Sequence, residues 1–473
     1  MKATIHRGEI KDLVAGLNRI INTSTSLPIL AAVRFSVAKG RLSAEATDLD
    51  QVGRYSFDAV DLEGSGEFIM PFHAIKDLAK GADGDAVAFE TGKGTDITVT
   101  NTVSGHPVRH TLAGLDQGDW PPRGADIQVQ PAENFLSTYR RCAPFASTDE
   151  ASRRTICSVF IDLSGKGPRN ATLVATDGKR LTCCNSLSLP IQAKDGIILP
   201  ITKFMVWPGM GDQCSIGILT EKGGPTWFGL QAGSWTYRVK AIAGVYPHWH
   251  QVMPNKADEV HQFTFTDADV AAMKKILPAL PGDEGVTIIG SADGAVTLAG
   301  QNKGEKECTV ALTGGSNSGG KPCRVLLNRH YLQDALEAGF RRFGFAAGKS
   351  PLRADDDKGA VHVLMPMGVS EVAPTPTPAE PAPMIQTKPP AAVTPPDTNE
   401  EKKTMTENTT TEPTALDKLQ AAYEIAKTKV REAQAALTDV AGAIKDAARE
   451  DKARRSEVEN VRAGLARLRA IEV

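Results

Sequence analysis

Four aspartates stand at turns between short apolar segments. Because a carboxylate can act as an acid, a base or a metal ligand, they are the first candidates for catalytic residues. They are Asp48, Asp50, Asp177 and Asp293. Metal-dependent or acid–base chemistry needs carboxylates, or a carboxylate and a histidine, that converge on one reacting centre. A catalytic Asp177 would need a partner carboxylate, a histidine or a metal, and none is visible nearby in the sequence. Catalysis at these positions is therefore the weaker interpretation.

The segment at 173–185, LVATDGKRLTCCN, favours a structural role for Asp177. An Asp-Gly pair stands between two apolar arms, and this pair is typical of a tight hairpin turn. The sequence therefore predicts a β-hairpin here, with a Lys-Arg pair just after its turn. The turn alone does not explain that basic pair.

The seven cysteines predict neither a metal site nor a disulfide framework. No two of them form a Cys-x-x-Cys pair, none belongs to a Cys/His cluster with zinc spacing, and their number is odd. We expect reduced thiols with mostly structural roles, and we predict no metal or cofactor. The cysteines are Cys142, Cys157, Cys183, Cys184, Cys214, Cys308 and Cys323.

The length of 473 residues is more than one hydrophobic core usually serves, so several domains are expected. The formal net charge of −2 argues against a wholly basic nucleic-acid-binding protein but leaves room for a local basic surface. The first residues, MKATIHRGEI, contain no apolar signal core, and no later apolar run is long enough to cross a bilayer. We expect a soluble, cytoplasmic protein.

One pattern recurs along the first three quarters of the chain: a short strand, an amphipathic helix and several alternating strands. Its clearest openings are EFIMPFHAIKDLAKG, GIILPITKFMVWPG and CRVLLNRHYLQDALEAG. The repeat predicts an α+β fold of three domains, each made of two β-α-β-β-β half-units. The predicted domains are 1–124, 125–256 and 257–369.

The composition changes after these domains. Residues 370–413 are rich in Pro, Thr and Ala, and they predict a disordered linker because such a segment buries too little apolar surface to offset its ordering entropy. Residues 414–473 place apolar residues at steps of three and four, which indicates a coiled coil, self-paired or folded back as a helical hairpin. Its alanine-rich core positions leave a solvated single helix as the alternative. The sequence does not say what this tail binds.

Four motifs in their order and spacing resemble the bacterial β sliding clamp family of DNA polymerase III, from Met1 to about Val369. They are SLPILAAVRFSVAKGRLSAEATDLD, VATDGKRL, VYPHWHQVMP and VLMPM. The resemblance implies a non-catalytic processivity factor in which each chain forms half of a ring. Two chains would join head to tail around duplex DNA, with helices lining the hole, and tether a polymerase to its template.

The resemblance also explains the Lys-Arg pair after the hairpin turn. In this family the hairpin helps to form a cleft that binds short peptides from the polymerase, the clamp loader and repair proteins. Apolar pockets would take aliphatic and aromatic side chains, while the turn backbone and Arg180 would hold polar groups. The implied cleft residues are Ile156, Thr176, Gly178, Lys179, Arg180, Leu181, Pro247 and Val252, with Met365, Pro366 and Met367 reaching in from the third domain.

Basic residues opposite the apolar stripes of the predicted helices suit a hole that meets phosphates without reading bases. Exposed helix faces are often basic for no such reason, which is the alternative for any single pair. The predicted DNA-facing residues are Lys11, Arg19, Lys76, Lys80, Arg140, Arg141, Arg153, Arg154, Lys274 and Lys275. Ile276 and Leu277 match apolar interface positions of the family and are predicted to lie between subunits.

Several positions depart from the family pattern. Gln251 stands where an arginine is usual beside the cleft, Gly368 and Val369 replace the usual ending, and Ser24 replaces an arginine linked to DNA contact. WPPR at 120–123 replaces the usual Phe-Pro. These changes, with the C-terminal tail, support a second hypothesis: a specialised clamp paralogue that acts as an interaction hub or competitor. A nucleic-acid enzyme is a third hypothesis, which the placement of the four aspartates on separate domains disfavours.

Overall fold

A computed structural model of the chain describes residues 1–103, 106–122, 124–149, 151, 153–167 and 170–367. The predicted linker 370–413, the predicted helical tail 414–473, and Gly368 and Val369 lie outside the described residues. Within the described part, no helix is long and apolar enough to span a membrane.

The strands follow the predicted repeat. Residues of the first predicted domain form β1 (Lys2–His6), β2 (Ala32–Ala38), β3 (Arg41–Thr47), β4 (Gln51–Ser56), β5 (Asp61–Glu63), β6 (Gly66–Pro71), β7 (Ala86–Thr91), β8 (Asp96–Val103) and β9 (His106–Ala113). Those of the second form β10 (Gln130–Pro131), β11 (Ser158–Asp162), β12 (Ala171–Thr176), β13 (Arg180–Leu187), β14 (Ile197–Pro200), β15 (Ser215–Thr220), β16 (Thr226–Ala232) and β17 (Trp235–Lys240). Those of the third form β18 (His261–Thr264), β19 (Gly285–Gly290), β20 (Val296–Gly300), β21 (Cys308–Ala311), β22 (Cys323–Asn328), β23 (Arg342–Phe345), β24 (Leu352–Asp355) and β25 (Ala360–Leu364).

Helices begin where the repeat predicts them, with one exception described below. They are α1 (Arg7–Leu17), α2 (Phe72–Leu78), α3 (Phe135–Cys142), α4 (Asp267–Ala279) and α5 (Arg329–Glu337). Each buries its apolar stripe, as Ile10, Leu13 and Leu17 do in α1. Side-chain caps fix two of the starts: Thr266 accepts from the N–H of the third helical residue of α4, and Asn328 accepts from two N–H groups of α5.

The strands form four antiparallel sheets, and two of these sheets cross the predicted domain boundaries. Their strand orders are β5-β1-β7-β8-β9, β10-β15-β16-β17-β4-β3-β2-β6, β14-β11-β12-β13-β25-β24-β23-β18 and β21-β20-β19-β22. Strand β4 of the first region therefore pairs with β17 of the second, and β13 of the second pairs with β25 of the third. These two pairings are called the first and second seams below.

The prediction of a helix within GIILPITKFMVWPG is wrong. The chain there makes a single turn and then a 3₁₀ helix at Pro208–Met210. Thr202 Oγ1 accepts from the N–H of Met205 and starts the turn. The turn cannot continue, since proline lacks the N–H that a helix needs and drives the residue before it into extended backbone. Trp207, just before Pro208, has φ −72° and ψ 121°.

The strand predicted from IQVQPA is reduced to the two residues of β10, because Ile127 to Val129 cross a sheet face instead of pairing along an edge. Two glycines of the sheet make room for this crossing. A Cβ atom at Gly217 would lie 2.0 Å from the carbonyl oxygen of Gln128, and one at Gly229 would lie 2.8 Å from the side chain of Ile127.

Two buried arginines begin helices and bond to chain segments at or beyond the neighbouring helix. Arg329, the first residue of α5, donates to carbonyl oxygens at the end of α4 and in the loop after it, at 2.8 to 3.1 Å. Those carbonyls belong to Leu277, Leu280, Pro281, Gly282 and Gly285. Arg7 begins α1 and instead forms an ion pair with the carboxylate of Asp85 and donates to the carbonyl oxygen of Thr102 on β8, both beyond α2 in the chain. Of these two arginines, it is Arg329 that satisfies carbonyl oxygens at a helix end.

Candidate functional site

The predicted hairpin is present between β12 and β13, and Asp177 holds its turn. The Oδ1 atom of Asp177 accepts from the N–H groups of Lys179 and Arg180, each at 2.9 Å. Gly178 has a φ of 87°, in the left-handed region that glycine adopts at low cost. Because its carboxylate is engaged in local hydrogen bonds, Asp177 acts here as a turn residue.

Asp48 and Asp293 hold turns in the same way. Asp48 Oδ1 accepts from the N–H groups of Asp50 and Gln51, and Asp293 Oδ1 accepts from the N–H of Ala295. The fourth aspartate, Asp50, pairs with Lys240. The structure thus gives each of these carboxylates a partner of its own and does not bring the four to one centre.

The second seam brings the end of the third region to the hairpin. In this seam Leu181 is paired with Val363, and the N–H of Met365 donates to the carbonyl oxygen of Lys179 at 3.0 Å. Met367 turns away, since its N–H donates to Leu326 O on β22. Met365 is therefore fixed beside the turn, whereas Met367 is not.

A cleft of about 190 Å³ opens at this second seam. Its lining includes all of the predicted cleft residues except Pro366 and Met367. It also includes four residues that were not predicted to line it, of which Arg153 was predicted to face DNA. The lining is Arg153, Ile156, Thr176, Gly178, Lys179, Arg180, Leu181, Pro247, His248, Trp249, Val252, Val363 and Met365.

The floor of the cleft is buried and apolar, while its rim is exposed. Leu181 and Ile156 are buried in a cluster with Tyr246 and Trp249, whereas Val252 is 52% exposed and Met365 is 41% exposed. Exposed apolar side chains beside a buried apolar floor are typical of a protein-binding site.

Trp249 is held in this floor by a buried carboxylate. Its Nε1 donates to Asp162 Oδ2 at 2.9 Å, and Asp162 is 8% exposed. Burial acts to raise the pKa of Asp162, but hydrogen bonds from Ser164 and from Trp249 outweigh it and leave that pKa below its ordinary value. Asp162 is therefore ionised near neutral pH and serves as a strong acceptor for the indole.

The Arg180 guanidinium does not lie at the rim, which corrects the role predicted for it. It is buried and bonds Asp177 Oδ2 at 3.1 Å and Asp334 Oδ2 on α5 at 2.6 Å, and it stacks 4.3 Å from the centre of the Tyr331 ring. Arg180 therefore links the hairpin to α5. The cations left exposed at the cleft are Lys179 and Arg153.

His362 lies in the second seam, fully buried between the rings of Phe145 and Phe340. Its Nδ1 is 2.7 Å from Thr182 Oγ1. Burial, with a smaller effect of the nearby Arg180 charge, lowers the pKa of His362 from 6.5 to about 3. The imidazole is therefore neutral across the physiological range.

Arg140 and Arg141, predicted to face DNA, are largely buried and engaged within the chain. The Arg140 guanidinium bonds Asp212 Oδ1 and the carbonyl oxygen of Trp207, each at 2.7 Å, and Arg141 pairs with Asp356. Because these charges are already compensated, the two arginines hold elements together and offer little free charge to a phosphate.

The other predicted cations are exposed or half-exposed. Those in local ion pairs are Lys11, Lys80 and Lys274, and those over an aromatic ring are Arg19 and Lys76. Lys275, Arg153 and Arg154 have neither kind of contact within the described residues. Of the two predicted interface residues, Leu277 is 1% exposed and belongs to the core, so only Ile276, which is half-buried, can present side-chain surface to a partner.

Comparison with known proteins relates the chain to one family. Residues 1–123 match the family model described as DNA polymerase III beta subunit, N-terminal domain. A beta sliding clamp from Vibrio cholerae is 22% identical over 379 residues, which cover 78% of this chain and all of that protein. A beta sliding clamp from Pseudomonas aeruginosa is 26% identical over 266 residues, which cover 52% of this chain and 66% of that protein.

Solved structures share the fold. The DNA polymerase III subunit beta from Pseudomonas aeruginosa superposes with a TM-score of 0.66 at 20% identity, over 78% of this chain and all of that one. A DNA polymerase sliding clamp from Caulobacter crescentus gives a TM-score of 0.63 at 22% identity, with the same coverage.

Proposed function

We propose that this chain is a DNA sliding clamp of the bacterial β sliding clamp family. Two copies form a closed ring around duplex DNA, and the cleft at the second seam tethers a polymerase and other clamp-binding proteins. The observation that carries this function is the cleft itself. Four separate segments of the chain converge on a cleft of about 190 Å³, which has an apolar floor and an exposed apolar rim.

The internal repeat supports closure of the ring by a second copy. Strands β4, β13 and β21 hold the same place in their half-units, and so do β17, β25 and β9. Within the chain, β4 pairs with β17 and β13 pairs with β25, whereas β21 and β9 are each left at a sheet edge. An unpaired edge strand is a ready template for another chain. The edge β21 of one copy therefore pairs with β9 of the next, which is a head-to-tail contact.

The DNA contact in this proposal is electrostatic and independent of base sequence. Most of the charge comes from lysines that are exposed or half-exposed, some of them in surface ion pairs. They are Lys11, Lys76, Lys274 and Lys275 on helices, and Lys80 just after α2. Arg140 and Arg141 contribute less because their guanidinium groups are compensated within the chain. The ring itself catalyses no reaction, and it acts by keeping a polymerase at high local concentration beside its primer end.

The cleft is tested by comparing two methionines of one segment. A fluorescein-labelled synthetic peptide that carries an adjacent Leu-Phe pair is titrated with the full chain, with Met365→Ala and with Met367→Ala. Met365→Ala removes an exposed rim contact and should weaken binding about fivefold to tenfold, which corresponds to about 1 kcal/mol. Met367→Ala is the matched control and should bind as the unchanged chain does. Equal effects of the two substitutions would contradict the assignment of the cleft.

A further inference from the structure

A second and larger groove, of about 700 Å³, opens at the first seam. We call it the arginine groove and define it by Asp50, Gln51, Arg153, Arg154 and Lys240. It lies where β4 of the first region meets β17 of the second, just as the cleft lies where β13 meets β25. The two sites therefore occupy equivalent places in the repeat.

The turn beside the arginine groove is built like the hairpin of the cleft. Thr47 Oγ1 donates to the carbonyl oxygen of Gln51 at 2.8 Å, as Thr176 Oγ1 donates to that of Arg180 at 2.6 Å. In each turn the threonine hydroxyl also accepts an N–H bond from the residue two positions later, at 3.0 Å. That residue is Leu49 in the first turn.

Backbone conformation extends the match. Leu49 has a φ of 79° and Gly178 a φ of 87°, so a leucine adopts here the left-handed conformation that glycine adopts in the cleft. A non-glycine residue in this region costs free energy, and the turn keeps it in place through the hydrogen bonds of Thr47 and Asp48. The fold thus builds the same turn twice.

Lys240 occupies in the arginine groove the place that Met365 occupies in the cleft. The N–H of Lys240 donates to the carbonyl oxygen of Asp50 at 2.9 Å, as that of Met365 donates to Lys179 at 3.0 Å. An apolar rim residue is thereby replaced by a cation, although the ammonium of Lys240 pairs with Asp50 at 3.0 Å. The equivalent place therefore carries different chemistry.

Two exposed arginines give the arginine groove its net positive charge. The guanidinium groups of Arg153 and Arg154 form no ion pair within the described residues. Among the residues that define the groove, Asp50 carries the single carboxylate, and this carboxylate pairs with Lys240. An arginine fork without a partner is suited to a carboxylate. Arg153 also lines the cleft, so the two sites are continuous at this residue.

We propose that the arginine groove binds the acidic flank of a peptide whose apolar anchor fills the cleft. The inference rests on the proposed function of the cleft and adds to it a determinant of partner choice. Continuity with the peptide-binding cleft at Arg153 favours a peptide over a nucleic-acid strand as the ligand of the groove. Partners with acidic residues beside their anchor are then preferred.

The test uses three labelled peptides that share one adjacent Leu-Phe pair and differ only in flanking residues. One carries serines on both sides, and the other two carry a Glu-Glu-Glu triplet on one side each. With the full chain, one acidic peptide should bind about fivefold more tightly than the serine peptide, and this gain should disappear as salt is raised to about 0.5 M. Arg154→Gln should abolish the gain, whereas Arg154→Lys should keep part of it.

Arg41→Gln, which removes an exposed arginine at the far end of β3, is the matched control and should leave the gain unchanged. The proposal is overturned if neither acidic triplet increases affinity, or if Arg154→Gln leaves the gain intact. It is also overturned if Arg154→Gln weakens only the binding of a single-stranded oligonucleotide. In each of these cases the serine peptide still binds, so the cleft survives. Failure of the serine peptide itself to bind would overturn both proposals.

Discussion

Lowering the pH from 7 to 5 should destabilise the second seam through His362. In the folded chain the pKa of this buried imidazole is about 3, whereas an unfolded histidine titrates near 6.5. Between these two values the unfolded chain binds a proton that the folded chain does not. Stability is therefore complete above about pH 6.5 and falls as the pH drops towards 3. At pH 5, 1.5 units below 6.5, the loss is about 2 kcal/mol, since one pKa unit corresponds to about 1.4 kcal/mol.

Urea unfolding at pH 7 and at pH 5, followed by tryptophan fluorescence, measures this loss. Trp249 belongs to the same buried cluster as Val361 and Val363, the neighbours of His362 on β25, and so reports on the seam. His362→Asn is the control, because asparagine places a polar group near Thr182 but does not gain a proton. The variant is expected to be less stable at pH 7 and to lose about 2 kcal/mol less than the unchanged chain between pH 7 and pH 5. Equal losses in the two proteins would refute the argument.

Two further substitutions test the buried polar contacts. Arg329→Met should leave carbonyl oxygens at the end of α4 without donors and lower the free energy of unfolding by roughly 3–5 kcal/mol, measured by urea titration. A loss below 1 kcal/mol, within the range of an ordinary surface change, would show that water replaces the guanidinium at little cost. Asp162→Ala should release the Trp249 indole, shift its fluorescence emission and weaken a cleft peptide several-fold, while Asp162→Asn, which keeps an acceptor, should restore most of the affinity. Unchanged emission in Asp162→Ala would contradict this role for the carboxylate.

Local sequence patterns predicted most of the fold because each strand and helix carries its own signal. Apolar stripes such as that of α1 and the Asp-Gly pair at 177–178 fix an element within a few residues. The prediction of a helix after β14 was wrong because Pro208 ends the helical turn that the apolar periodicity before it indicates. The prediction of a strand at Ile127 was wrong because this segment packs on a sheet face, where Gly217 and Gly229, far along the chain, leave room for it.

The family resemblance predicted most of the cleft residues, and most of those lie in the quoted motifs. Trp249 and Val363 were missed although they stand inside VYPHWHQVMP and VLMPM, so a motif-wide assignment would have included them. The burial of Arg180 could not be predicted, since its partners Asp334 and Tyr331 come from a helix more than 140 residues away in the chain. Contacts between distant segments leave no local pattern.

The most direct test of the ring is its behaviour on closed and open DNA. The full chain is incubated with nicked circular duplex until it associates, and the mixture is then gel-filtered at about 0.5 M salt, where electrostatic contacts alone are weak. The sliding-clamp account predicts that the protein co-elutes with the circle as a dimer and separates from it once the DNA is cut to a linear form. Equal retention on linear and circular DNA, or release from both, would contradict encirclement.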